Sequence, residues 1–203
     1  MLNKSYRPAA YAAIYAEKLF WPFVFFLTTL LLNGAICAML LTARRPIVPP
    51  QNLEDILAPL APVVYTAVYG AIGWFPAPLQ ANFFPLQLQY PLTAAGAAVG
   101  VIGRLIALWS VVVLGRSFGI FVMVRKTVFG GPYRYVRHPM YLGFVCILAG
   151  YVLSDFCAAM IILAAFHVVL LVYRARIEER RLCEHSAEYR EYMKRTSFLL
   201  PGA

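Results

Sequence analysis

An all-α, polytopic membrane protein is the fold class this sequence predicts, and three observations carry it. Of 203 residues, 62% are hydrophobic and 13% charged, where soluble domains carry roughly 25% charged residues. No charged side chain occurs from residue 56 to residue 103. Apolar stretches close to the ~20 residues that span a bilayer as a helix recur along the chain. One soluble core of this size cannot hide so much apolar surface. The pattern excludes a disordered tail, a secreted disulfide scaffold and a soluble DNA-binding domain, so no nucleic-acid partner is expected.

Five spans follow in order. The first, 19–43, lies between Lys18 and Arg44-Arg45, and its 25 residues exceed the roughly 7–15 of a signal-peptide core. The alanine-rich residues before it, 1–18, read as an interfacial helix. The second span is 56–76, with Pro59 and Pro62 in its first turns, where proline is best tolerated. A proline-rich, uncharged stretch, 76–91, reads as a non-cytosolic loop pressed against the membrane. The third span, 92–114, is interrupted only by Arg104, and its Gly96-x-x-x-Gly100 offers a small-residue face for close helix approach. The last two, 139–153 and 156–173, are separated by Ser154-Asp155 and form an antiparallel hairpin. Asp155 is expected to cap the N-terminus of the second of them. The fourth span has 15 residues, about 22 Å of helix. It must borrow flanking residues or start recessed in the interface. Without internal repeats or linkers, residues 1–203 form a single integral-membrane domain.

Charge orients the spans. Arg44, Arg45, the 116–137 segment and everything after Tyr173 hold 14 Lys or Arg, against three (Lys4, Arg7, Lys18) on the opposite side. The excess of positive charge marks the cytosolic side, which predicts an N-terminus outside and a C-terminus in the cytosol.

Polar chemistry concentrates on that side, in 115–141 and 174–192. Gly130-Gly131-Pro132 signals a turn. Pro139 suits the first position of a helix and pushes His138 to an extended conformation, so this loop delivers His138, Pro139 and Tyr141 to a helix N-terminus at the membrane surface. Such an end suits a carboxylate or phosphate; by spacing alone the segment could equally be a basic loop lying on anionic lipid headgroups. In the second segment Arg174, Glu178, Leu182, His185, Tyr189 and Tyr192 recur at helical spacing. They share one face of a helix continuing out of the fifth span. The aromatic and apolar members turn that face inward, and a carboxylate on it wants a cationic partner. Arg104, an intramembrane charge, is either a cavity residue or snorkels to the interface. His167 reads as hydrogen-bonded between helices. The four cysteines show no paired spacing and read as small buried hydrophobes. Cys183-x-His185 supplies two ligands where a zinc site needs three or four, and no metal is expected.

LGRSFGI (114–120), GPYRYVRHPMYLG (131–143) and EERRL with EYREY (178–182 and 188–192) together resemble the isoprenylcysteine carboxyl methyltransferase and phospholipid methyltransferase superfamily of integral-membrane enzymes. The likeness covers residues 104–200, and residues 1–103 match nothing specific. It implies S-adenosylmethionine as cofactor, held without a Rossmann domain in a cytosolic pocket between the loop, the R-H-P turn and the post-membrane helix. By motif position, Arg125, Lys126, Thr127, Val128, Tyr133, His138, Pro139, Met140, Tyr141 and Glu178 are the implied cofactor contacts. Arg174 and Glu178 are the implied catalytic pair. Arg174, with Arg104, would face a lipid-like or amphipathic methyl acceptor. The family's tail usually carries a Phe-Gly or Tyr-Gly pair after E-E-x-x-L. Here Leu182 is followed by CEHSAEY, one residue shorter, which leaves the course of the helix open there. Membrane sterol and enone reductases using NADPH share an R-H-P-x-Y hairpin and form a second enzymatic reading. A small transport protein, with Arg104 and His167 lining a path, is a third.

Overall fold

The computed structural model describes residues 8–57, 78, 81–119, 124 and 127–202. Its regular structure is helical: α1 (Pro8–Leu41), α2 (Leu86–Leu114), α3 (Pro139–Ser154), α4 (Ala158–His185) and α5 (Ala187–Arg195). Only two isolated bridges, Val48 with Val124 and Val136 with Ser197, lie outside helices among the described residues. Helices α2 and α4 contain stretches long and apolar enough to cross a membrane; Phe26–Leu41 and Pro139–Ser154 are shorter apolar helices. The expected second span lies outside the described residues from position 58 onward.

Three boundaries differ from the sequence reading. Residues from Pro8 onward are continuous with the first apolar helix, because alanine-rich sequence is strongly helix-forming and nothing there separates an interfacial helix from a span. Helix α2 starts at Leu86, inside the stretch read as a loop, and carries Pro91 within it. Asp155 does not cap α4. It ends α3 instead, its N–H donating to the Tyr151 carbonyl at 2.9 Å, while its own carbonyl accepts from the Cys157 N–H at 2.8 Å. The connection is therefore one residue longer than expected, and Cys157 takes the N-cap position without a side-chain bond.

Helices α2 and α3 make the most extensive contact of the fold, and small residues permit it. A Cβ on Gly150 would lie 2.5 Å from the Gly96 carbonyl and 2.9 Å from the Gly100 nitrogen; one on Gly103 would lie 2.5 Å from the Gly143 carbonyl. The Gly96-x-x-x-Gly100 face thus does what its spacing predicts. Ala107, Val111, Tyr141, Leu148, Leu171 and Ala175 fill the interior. The outward faces are apolar as well. Phe26 on α1, Ile102 and Trp109 on α2, and Phe166 and Val169 on α4 are all more than half exposed, the expected finish of a surface that meets lipid rather than water.

Arg104 lies inside this bundle, 3% exposed. Its Nε donates to Thr29 Oγ1 at 2.8 Å, Nη1 to the Gly100 carbonyl at 2.8 Å and Nη2 to the Tyr151 hydroxyl at 3.2 Å. It neither snorkels nor stands alone: it joins α1, α2 and α3.

Candidate functional site

The turn before α3 forms as the sequence requires. Gly131 takes φ +58, a left-handed value that glycine adopts without a Cβ penalty. Pro132 and Tyr133 follow in a short 3-10 turn, Val136 pairs with Ser197, and His138 leads into Pro139, the first residue of α3, at φ −125 and ψ 59 rather than in the extended conformation expected of it. The stretch before Pro139 has backbone partners of its own. Arg137 N–H donates to the Ser197 carbonyl at 2.9 Å and His138 N–H to the Phe198 carbonyl at 3.3 Å, so the tail after α5 lies alongside the R-H-P turn.

Helix α4 continues beyond Tyr173 to His185, as predicted, but the predicted single helix through Tyr192 breaks. Ser186 is extended (φ −142, ψ 113), and its hydroxyl accepts from the Tyr189 N–H at 3.1 Å, which starts α5. A serine N-cap stabilises a new helix start by about 1 kcal/mol. The break lets α5 fold back over the R-H-P turn.

One cavity lies between these parts. Of the residues named from sequence, Thr127, Val128, Tyr133, His138, Met140, Tyr141 and Glu178 line it together. Leu182, Tyr189 and Tyr192, from the predicted helical face, line it too. Pro139 is fully buried at the start of α3. Arg125 and Lys126 lie outside the described residues. Arg174 stacks on the wall, its guanidinium carbon 5.6 Å from the centre of the Tyr141 ring. Two residues fall elsewhere. Arg104 is held in the bundle as described, and His185 is exposed, its Nδ1 3.0 Å from the Arg181 carbonyl. The break at Ser186 removes His185 from the face it was expected to share.

The adjacent glutamates have separate tasks, and sequence reasoning named only one. Glu178 faces the cavity and accepts from the Tyr141 hydroxyl at 2.9 Å. Glu179 is the more deeply buried, at 4% exposure. It accepts from Arg137 Nε at 2.6 Å and lies 3.3 Å from His138 Nε2 and 3.4 Å from Arg176 Nη1. Burial alone would raise the Glu179 carboxyl; hydrogen bonds from His138 and Arg137 outweigh it and hold the group below the ordinary carboxylate value. Arg137 also donates to the Met193 and Thr196 carbonyls, and its guanidinium sits 5.7 Å from the Phe198 ring. His138 stacks on Tyr141 with ring centres 5.2 Å apart and meets Phe198 edge-on at 5.1 Å. Arg137, Glu179 and Phe198 thus knot the turn, α4 and the tail together. The only sequence signals for them were the arginine of R-H-P and the second glutamate of E-E.

The phenols on the wall stay protonated. Burial, then the Glu178 charge, pushes Tyr133 and Tyr189 well above the usual phenol range, and burial pushes Tyr192 up to about 12. The Tyr192 hydroxyl donates to the Tyr133 carbonyl at 2.6 Å, and its ring lies 4.8 Å from that of Phe129. A carboxylate among neutral aromatic faces is a site for an organic cation, attracted by charge and by the ring quadrupoles. No group of three or more metal-ligating side chains occurs among the described residues.

Comparison with known proteins agrees with the motifs. Residues 92–187 match the family described as phospholipid methyltransferase. A 70-residue stretch is 37% identical to methanethiol S-methyltransferase 1 of Bradyrhizobium diazoefficiens, covering 34% of this chain and 24% of that relative. The match thus spans about a quarter of the curated relative's length. The resemblance read from the G-P-Y, R-H-P-x-Y and E-E motifs is borne out, and the cavity is built almost wholly within the matched segment.

Proposed function

Taking residues 92–187 as the phospholipid methyltransferase pattern, we propose that this chain is an integral-membrane methyltransferase. It uses S-adenosylmethionine and acts on a lipid-like or amphipathic acceptor at the cytosolic face. The observation that carries the reading is the cavity wall itself: Glu178 together with the rings of Tyr133, Tyr141, Tyr189 and Tyr192. That donor set fits a ligand bearing a sulfonium and an ammonium. When bound, S-adenosylmethionine supplies an activated methyl group on its sulfonium sulfur.

The chain's own residues do the rest by placement. Glu178 and the aromatic rings hold the cation, and Thr127 and Val128 close the loop side. Helix α5 lines one side of the cavity through Tyr189 and Tyr192, a position from which it would shield the reacting atoms from water, which in-line transfer needs as much as alignment. The neutral phenols offer hydrogen bonds without competing as nucleophiles. Arg174, on the Tyr141 ring where α4 leaves the apolar bundle, would orient a polar acceptor head whose apolar part remains among the helices. A carboxylate or thiolate acceptor needs no base; for an amine, the Glu178 carboxylate stands ready to take the proton. The excess of Lys and Arg near this site supports a cytosolic position for it, with the N-terminus opposite.

The test is calorimetric titration of the detergent-solubilised full chain with S-adenosylmethionine. Saturable binding that disappears in folded Glu178→Ala is the expected result. Absence of binding to the wild-type protein would overturn the reading.

A further inference from the structure

Residues 42–57 run as a strap between two walls of the cavity. One wall is the loop that contributes Ser117, Thr127 and Val128; the other is the outer part of α4, which contributes Glu178 and Leu182. At the loop end the ties are mostly backbone. Arg44 N–H donates to the Arg116 carbonyl at 2.8 Å, and Arg116 Nε donates to the Thr42 carbonyl at 2.9 Å. The N–H groups of Ile47 and Val48 share the Val124 carbonyl at 2.8 and 3.3 Å, and Val124 N–H returns to Val48 at 3.1 Å.

At the α4 end the tie is ionic. Asp55 Oδ1 and Oδ2 accept from Arg181 Nε and Nη2 at 3.0 and 2.9 Å. Asp55 is 1% exposed, and its Oδ2 also accepts the backbone N–H groups of Gln51 and Asn52 at 2.9 and 3.2 Å. Glu54 reinforces the same end by accepting from Arg180 and from the Tyr173 hydroxyl. A buried ion pair recovers its desolvation cost only with this kind of two-pronged geometry and satisfied remaining lone pairs. Both halves are 126 residues apart in sequence, and Asp55 lies outside the matched segment 92–187.

We propose that Asp55 and Arg181 are positioning residues of the cavity: their ion pair, acting through the strap, sets the spacing between the loop wall and the Glu178 wall. The wall spacing then governs how much of the population can bind ligand. The proposal takes only its probe, S-adenosylmethionine, from the methyl-donor reading.

The test compares wild-type full chain in detergent micelles with Asp55→Asn, Arg181→Met and the double variant. Arg181→Lys replaces Arg181→Met should that variant fail to fold. Hydrogen exchange followed by mass spectrometry reports on the loop 115–130 and, as internal reference, on 96–112 in α2; calorimetry reports affinity for S-adenosylmethionine. If losing the clamp leaves about a tenth of the molecules competent, apparent affinity falls about tenfold. We expect that loss in each single variant, with 96–112 unchanged and exchange in 115–130 faster by about tenfold or more, because the open share rises from a small minority to about nine-tenths. The double variant should be no worse than the singles, because they remove one shared interaction. Faster exchange in both segments alike, or undiminished affinity in a folded variant, overturns the proposal. Should the wild-type chain not bind S-adenosylmethionine, the methyl-donor reading fails by itself, and exchange decides the strap: acceleration confined to 115–130 supports it, and unchanged or uniform exchange ends it.

Discussion

Replacing Glu179 by glutamine should loosen the tail while leaving the helical bundle intact. Glu179 is 4% exposed and holds Arg137 at 2.6 Å, His138 at 3.3 Å and Arg176 at 3.4 Å. Removing one partner of a buried ion pair costs about 3–5 kcal/mol. Glutamine keeps a neutral acceptor worth about 1 kcal/mol, so a net cost of about 2–4 kcal/mol is expected. The loss falls on docking of the tail, because the same residues hold it. Arg137 donates to the Met193 and Thr196 carbonyls, and Arg176 sits 4.4 Å over the Phe198 ring. At about 1.4 kcal/mol per decade, the open population of 187–199 rises about thirty- to several-hundredfold. Hydrogen exchange of that segment at pH 7, with 96–112 as reference, reads it directly. Unchanged exchange in 187–199 alongside a lower melting temperature would refute the assignment of Glu179 to the tail. The wild-type protein should show the same opening in acid. The Glu179 carboxyl lies below its ordinary value of 4.5 in the folded chain. Its contribution is therefore complete above that value and is lost as pH falls through the lowered one. Tail exchange, corrected for its intrinsic pH dependence, should stay flat from neutral pH down to the ordinary carboxylate range and accelerate only below it.

Glu178→Gln should weaken S-adenosylmethionine binding by at least about tenfold, the cost of one lost charge contact of about 1.5 kcal/mol or more, with tail exchange unchanged; calorimetry and exchange together separate it from Glu179→Gln. Tyr192→Phe removes the hydrogen bond to the Tyr133 carbonyl, about 1 kcal/mol, and should lower donor affinity about fivefold in the same titration. Gly150→Ala would set a Cβ 2.5 Å from the Gly96 carbonyl, and overpacking of about 1–3 kcal/mol should lower resistance to denaturation in detergent. Arg104→Met should likewise weaken the bundle, since it deletes three hydrogen bonds, and should leave S-adenosylmethionine affinity unchanged. A selective loss of methyl transfer at normal stability would instead return Arg104 to the acceptor site.

Local signals in the chain were readable wherever one residue settles its own backbone. Pro139 starts α3 because its ring fits a first turn, and Gly131 bends the preceding turn because a left-handed value of φ is available to it. Apolar length located α2 and α3, the former six residues late, and small-residue spacing marked the face on which α2 is approached closely without naming the helix that approaches. Periodicity failed where it ran across a boundary in phase. The step from Leu182 to His185 continues the helical face, so nothing in the spacing reveals that the helix ends there, although Ser186 carries an N-cap side chain. The polar core was harder still. An apolar face identifies which side of a helix turns inward, but a carboxylate is buried by a cation that comes from elsewhere in the chain. Glu179 meets Arg137 across 42 residues, and Asp55 meets Arg181 across 126. Neither partner lies on the element that carries the acid, and although Glu179 continues the buried face of Leu171 and Ala175, that spacing does not say which cation meets it. Glu178 was legible because Leu182 and Tyr189 share its side of the cavity; Glu179, one residue on and about a quarter-turn away, was not. The division of labour follows from that quarter-turn. The first carboxylate keeps its charge toward the cavity, while the second gives its charge to the R-H-P turn that docks the tail, so substitutions at neighbouring positions should separate ligand binding from docking of the tail.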